Sequence, residues 1–125
     1  MSVQECDGVR ALVADADGTP IAGGQDVLEL IGTVYYDDVS WVILPAERLT
    51  DDFFTLSTGV AGDIVQKFVN YRLGFAVLGD VSRFTANSTS LADFVRESNR
   101  GRHTWFVADL DDFRTRLSAS SQPRR

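Results

Sequence analysis

Two stretches of the chain place reactive side chains at spacings that chemistry can use. In Leu56-Ser57-Thr58-Gly59 a pair of hydroxyls stands immediately before a run with helical periodicity. A hydroxyl at a helix start meets free backbone N–H groups and the positive end of the helix dipole, so a phosphoryl group on Ser57 or Thr58 would be stabilised there. An ordinary N-cap accounts for the same residues, because Ser and Thr are favoured caps. In Asp15-Ala-Asp17-Gly18-Thr19 two carboxylates lie two positions apart at the end of a β-favouring run. Such a pair can hold Mg2+ while one carboxylate attacks phosphorus and the other transfers a proton. A turn is the plainer account, since Asp-Gly is a strong hairpin dipeptide.

Other residues with chemical potential are weaker candidates. Asp15, Asp17 and Asp26 stand at the first, third and twelfth positions of a calcium loop, but Pro20 occupies the place where that loop needs Gly. His103 is the single histidine. It opens the last expected strand, on the rim opposite the strand ends, and reads as a structural residue. Arg96 and Arg100 share a helix face, with Arg102 close in sequence and Arg72 elsewhere. They could dock an acidic partner or a phosphate, yet Asp93 and Glu97 make a solvated, balanced face the simpler account. The aromatics Trp41, Phe68, Phe75, Phe94, Trp105 and Phe106 fall at core positions. No metal ligand set and no cofactor site emerges.

The elements that must position these groups follow from apolar periodicity. Val9 to Ala14 reads as a strand, and Asp17-Gly18 is expected to turn it back through Thr19–Ala22, an edge strand because of Pro20. From Gln25, Val27, Leu28, Ile31, Val34 and Tyr35 mark one face of a helix. Val39 to Leu44 is almost wholly apolar, the form of a strand covered on both faces. A helix is expected from Gly59 to Arg72, buried through Val60, Ala61, Ile64, Val65, Phe68 and Val69 and stopped by Gly74. Phe75 to Leu78 and His103 to Val107 are the remaining strands. Between them Ser88 or Ser90 caps a helix with Leu91, Phe94 and Val95 inside, and Asp109 caps a last one with Leu110, Phe113 and Leu117 inside.

The order β-β-α-β-α-β-α-β-α predicts a single α/β domain over 8–117. It has a mixed, mostly parallel sheet of four or five strands, an N-terminal β-hairpin and four helices. Residues 1–7 are expected to be flexible and 118–125 a disordered tail. Functional groups in such sheets gather beyond the carboxyl ends of the parallel strands. That rim would collect Glu47, Arg48, Ser57, Thr58, Gly59, Asp80 and Ser82.

Composition narrows the functional classes. The 125 residues suit one domain, and 44% apolar with 24% charged residues is ordinary for a globular chain. Twelve basic against 18 acidic residues give a net charge of −6, which argues against nucleic acid and anionic membranes as partners. A single cysteine, Cys6, excludes an intrachain disulfide. No apolar run approaches the ~20 residues of a membrane span, and the first residues do not form a secretory signal. A cytoplasmic protein is expected.

The element order and the hydroxyl pair before Gly59 resemble the STAS fold, the sulfate-transporter and anti-sigma-factor-antagonist domain. Its motif, Asp-Ser-Ser-Gly-Leu-Gly, is matched by Leu56-Ser57-Thr58-Gly59-Val60-Ala61, with Leu56 in place of the acid and Ala61 in place of the second glycine. The resemblance implies phosphorylation of the second hydroxyl, here Thr58. Across Gly8 to Leu117 the chain also resembles a bacterial family called domain of unknown function 4180. That likeness rests on Phe53-Phe54-Thr55-Leu56-Ser57-Thr58-Gly59, Gln66-Lys67-Phe68-Val69-Asn70-Tyr71-Arg72 and Glu97-Ser98-Asn99-Arg100-Gly101, and it implies no established activity. Separately, Asp15-Ala-Asp17-Gly18-Thr19 is similar to the loop of haloacid-dehalogenase-type phosphatases, which would make Asp15 a nucleophile and Asp17 a general acid. No second acid follows Asp80 in Val81–Thr85 to complete that site. The leading expectation is a non-enzymatic regulatory module that binds a protein partner, with a phospho-switch at Thr58 or Ser57. A second copy of the chain is a further candidate partner. The alternatives are a Mg-dependent phosphatase using Asp15 and Asp17, and an accessory protein binding a small ligand at the same rim.

Overall fold

Strand residues alternate between two apolar faces, and that alternation organises the protein. The computed structural model describes residues 2–34 and 38–120. Its strands are β1 (Ser2–Cys6), β2 (Val9–Val13), β3 (Trp41–Pro45), β4 (Gly74–Leu78) and β5 (Thr104–Val107). Its α-helices are α1 (Gly24–Val34), α2 (Val60–Asn70), α3 (Ser82–Thr85), α4 (Thr89–Arg100) and α5 (Leu110–Ser120), with three 3-10 turns between β3 and α2. The strands form one sheet in the order β1-β2-β3-β4-β5, parallel except for the antiparallel pair β1–β2.

Because β2 to β5 advance in one direction, crossovers of the same hand bring α1, α2 and α4 to one face. There Leu12, Val42, Leu44, Phe75, Val77 and Phe106 pack with Val27, Leu30, Ile31, Ile64, Phe68 and Leu91. The other face is covered by α5, whose Phe113 and Leu117 lie on Ala11, Trp41, Ile43, Ala76, Trp105 and Val107. Burial on both sides explains why these strands read as continuous apolar runs. The expected α/β class, the mostly parallel sheet and an N-terminal hairpin are all present.

The hairpin, however, is built from other residues. Asp7-Gly8 turns the chain, both at positive φ (51° and 81°), and pairs Cys6 with Val9. Two positive-φ residues match the twist of a two-residue hairpin. Residues 2–6 are therefore a strand rather than a flexible arm, and Cys6 is buried in the second core. The Asp17-Gly18 turn leads to no antiparallel return strand. Pro20 has no N–H for a ladder, and Ile21 instead makes an isolated parallel bridge to Leu49.

Helix details depart in several further places. Leu30 is buried where Leu28 was expected, giving the i, i+3, i+4, i+7 set Val27, Leu30, Ile31, Val34; Tyr35 lies outside the described residues. Helix α2 stops before Gly74. Arg72, at φ 58°, donates its N–H to the Val69 carbonyl at 3.0 Å, and Leu73 donates to Phe68 at 2.9 Å. This is a Schellman ending with Arg in the usual glycine position, and Gly74 opens β4. Val69, at the last turn, is 46% exposed rather than buried. The fifth helix, α3, is a single turn after β4 that local periodicity does not reveal. The tail expected from Ser118 begins within α5, and residues 121–125 lie outside the described residues.

Candidate functional site

The expected rim exists, but its side chains have divided roles. After β3 the chain makes 3-10 turns at Ala46–Arg48, Asp51–Phe54 and Leu56–Thr58, then enters α2 through Gly59 at φ 78°. This left-handed step favours glycine. The Thr58 hydroxyl reaches back into the turns, lying 2.7 Å from the Asp52 carbonyl and 2.8 Å from that of Thr55, and it accepts the Val60 N–H at 3.2 Å. Thr58 thus braces the helix start from the preceding turn, but the N-cap is Gly59, which makes no side-chain cap bond, so neither hydroxyl is the cap that the sequence suggests. Ser57 is exposed and faces a different neighbourhood.

Ser57 lies on an open recess of about 690 Å³ whose opposite wall comes from α3. Phe84 stacks on Phe54 with centroids 4.0 Å apart and planes 5° from parallel. The Arg83 guanidinium carbon sits 4.4 Å above the Phe84 centroid. Asn87 and Ser88 continue the lining, and Ser88 accepts the Leu91 N–H at 3.1 Å, which identifies it as the α4 cap. A cation held over a ring keeps its hydrogen-bonding edge available to an incoming oxyanion. Arg83, Phe84 and Phe54 were not singled out from the sequence as site residues. The adjacent Arg83-Phe84 pair just after a strand end was the signal available.

The other expected rim residues sit nearby with their own partners. Asp80 accepts the Ser82 N–H at 2.8 Å, and that backbone hydrogen bond, helped by the Ser82 hydroxyl, holds its carboxyl below the ordinary carboxylate value. Glu47 Oε1 lies 3.9 Å from where a Cβ would stand on Gly79, so the ends of β3 and β4 meet. Arg48 turns the other way. Its Nη1 donates to the Asp15 carbonyl at 2.8 Å and its Nε to the Thr19 carbonyl at 2.9 Å.

Asp15 and Asp17 are exposed in the loop that Arg48 holds. Among the described residues no three His, Cys, Asp or Glu side chains converge as a metal site would require. Exposed His103 precedes β5 at the opposite rim. Arg96 pairs with Asp93, and Arg100 pairs with Glu97 at 3.3 Å, as a solvated helix face would. No described helix is long and apolar enough to cross a membrane.

Fold and site together define a one-sheet mixed α/β domain with an aromatic-walled recess beyond the carboxyl ends of its parallel strands. Residues 6–117 match the family described as Domain of unknown function (DUF4180), and the chain belongs to that family. No curated protein and no solved structure matches it significantly.

Proposed function

We propose that this chain is a non-enzymatic, STAS-like regulatory module, acting as one domain over 8–117, that engages a protein partner through the recess between Ser57 and Arg83. The observation that carries the reading is the exposed Ser57 residue on a recess whose facing wall holds a guanidinium set over the Phe84 ring. Ser57, rather than Thr58, is the phospho-acceptor in this proposal, because the Thr58 hydroxyl is committed to backbone partners. A phosphoryl group on Ser57 would add nearly two negative charges and three strong acceptors, draw Arg83 across, and occupy the surface a partner needs. Glu47, Asp80 and Ser82 edge the same rim and would repel or steer an acidic partner segment. The recess volume also suits a small ligand, which makes ligand binding the second reading of the same wall.

Affinity capture from the native host's extract tests the proposal, using wild type, Ser57→Ala, Ser57→Glu and Arg83→Ala. A defined partner should remain with wild type and Ser57→Ala and be lost with the other two. Identical profiles for all four proteins would remove the recess as the interaction surface. A phosphate-release assay with Mg2+ addresses the rival enzyme: activity abolished by Asp15→Asn would replace the proposal.

A further inference from the structure

The rim where the parallel strands begin holds a second recess, of about 310 Å³, remote from Ser57. Its lining brings together Arg72 from the end of α2, Arg102 and His103 from the approach to β5, and Ser40 and Trp41 from the start of β3. Three cationic or N–H-donating side chains around one cavity are unusual in a chain of net charge −6.

Their lack of partners sharpens the point. Lys67, Arg96, Arg100, Arg114 and Arg116 each pair with an acid on their own helix. Arg48 is held by carbonyls and Arg83 by an aromatic ring. Among the described residues, Arg72 and Arg102, like the exposed Arg10, have no side-chain hydrogen bond or ion pair. Arg72 also occupies a left-handed backbone position, φ 58°, that glycine would fill without steric cost. A favourable charge at a helix C-terminus explains a basic residue nearby, but it does not explain one in that strained place.

The remaining wall is apolar and rigid. The Trp41 indole lies against Gly74, where no Cβ could be accommodated, and stacks on Trp105 at 4.4 Å. Val69, 46% exposed, also lines the recess.

We propose that this recess binds an organic phosphate monoester. The forked guanidinium groups of Arg72 and Arg102 and the imidazole of His103 take the phosphate oxygens, and Val69 with the indole edge of Trp41 takes the organic body. Two forks and a ring N–H suit a group with three terminal oxygens better than a carboxylate, which one fork can satisfy. The volume sets the ligand's size at the small end of the range for such pockets.

The test is titration of the full chain with phenyl phosphate, read by intrinsic tryptophan fluorescence and calorimetry, with benzoate and inorganic phosphate in parallel. Saturable binding is expected for phenyl phosphate, weaker for the other two. Arg72→Gly, which suits the backbone and removes the guanidinium, and Arg102→Gln should each weaken it at least about tenfold, ~1.4 kcal/mol. Arg96→Gln, an equal charge change on α4, should leave it unaltered, and thermal melts should show all variants folded. No saturable binding up to about 10 mM, a range that detects even weak sites, would overturn the proposal. So would unchanged affinity in both recess variants, or benzoate binding as tightly as phenyl phosphate.

Discussion

The Thr58 hydroxyl lies 2.7 Å from the carbonyl oxygen of Asp52, six positions earlier, and so ties the start of α2 to the 3-10 turn that carries Phe53 and Phe54. Phe53 is fully buried, with Phe75 and Phe106 around it. A small polar contact at the rim therefore holds a segment whose other side is core. The neighbouring hydroxyl, Ser57, has no such duty.

That contrast predicts unequal stability effects from two adjacent residues. Thr58→Val should cost about 0.5–1.5 kcal/mol, the range for losing an intramolecular hydrogen bond whose carbonyl partners water can reach. Ser57→Ala should stay within about 0.5 kcal/mol, as for an ordinary surface change. Urea denaturation of the two variants decides; equal losses would show that Thr58 does not anchor the turn.

Arg48 and Gly18 should behave as one unit. A Cβ on Gly18 would fall on the Arg48 guanidinium, which bonds the Asp15 and Thr19 carbonyls. The far end of a flexible side chain can yield, so Gly18→Ala is expected to cost about 1 kcal/mol by displacing those bonds rather than by unfolding the loop. Arg48→Ala should cost a similar amount, and the double variant little more than either. A strictly additive cycle, within about 0.3–0.5 kcal/mol, would separate the two sites.

Gly74→Ala is a harsher case. The added methyl would meet the fused ring atoms of Trp41, which is buried and stacked on Trp105 and so has nowhere to retreat. Overpacking of this kind costs roughly 1–3 kcal/mol. Tryptophan emission should shift along with the melting temperature; a wild-type spectrum and melt would place the indole elsewhere.

Acid should destabilise the fold through identifiable carboxylates. Asp63 is held below its ordinary value chiefly by the hydrogen bond from Lys67, aided by the Gly24 N–H at the start of α1 and by the Lys67 charge. Asp80 is lowered by the Ser82 N–H. A carboxylate lowered in the folded state binds fewer protons there than in the unfolded chain, so its contribution is complete above the unfolded value of about 3.9 and fades as pH falls through the folded value. Stability should thus be insensitive to these groups at neutral pH and decline below about pH 4. Asp63→Asn should flatten that decline in acid-titrated denaturation curves; an unchanged slope would discount the α1–α2 link.

Local chemistry was enough to specify most elements. The apolar runs of β2 to β5 and the helical stripes of α1, α2, α4 and α5 are properties of near neighbours, and burial of a periodic face is the strongest force on a short segment. Caps were equally legible, since Asp109 accepts the Asp112 N–H as its position suggests. Choices between equivalent local signals were not. The chain holds two Asp-Gly turns, and only the pairing of Ser2–Cys6 with Val9–Val13 selects Asp7-Gly8 as the hairpin. Ser57 and Thr58 are adjacent exposed hydroxyls, and the turns around them decide which is tied to the backbone. Arg48 finds carbonyls 29 and 33 positions away, Arg83 and Phe84 find Phe54, and Arg72 meets Arg102 and His103 across a rim. The amino-acid order determined what each segment becomes, because propensity and periodicity act over a few residues. Tertiary packing alone decided which side chains share a site, because that depends on how distant segments stack.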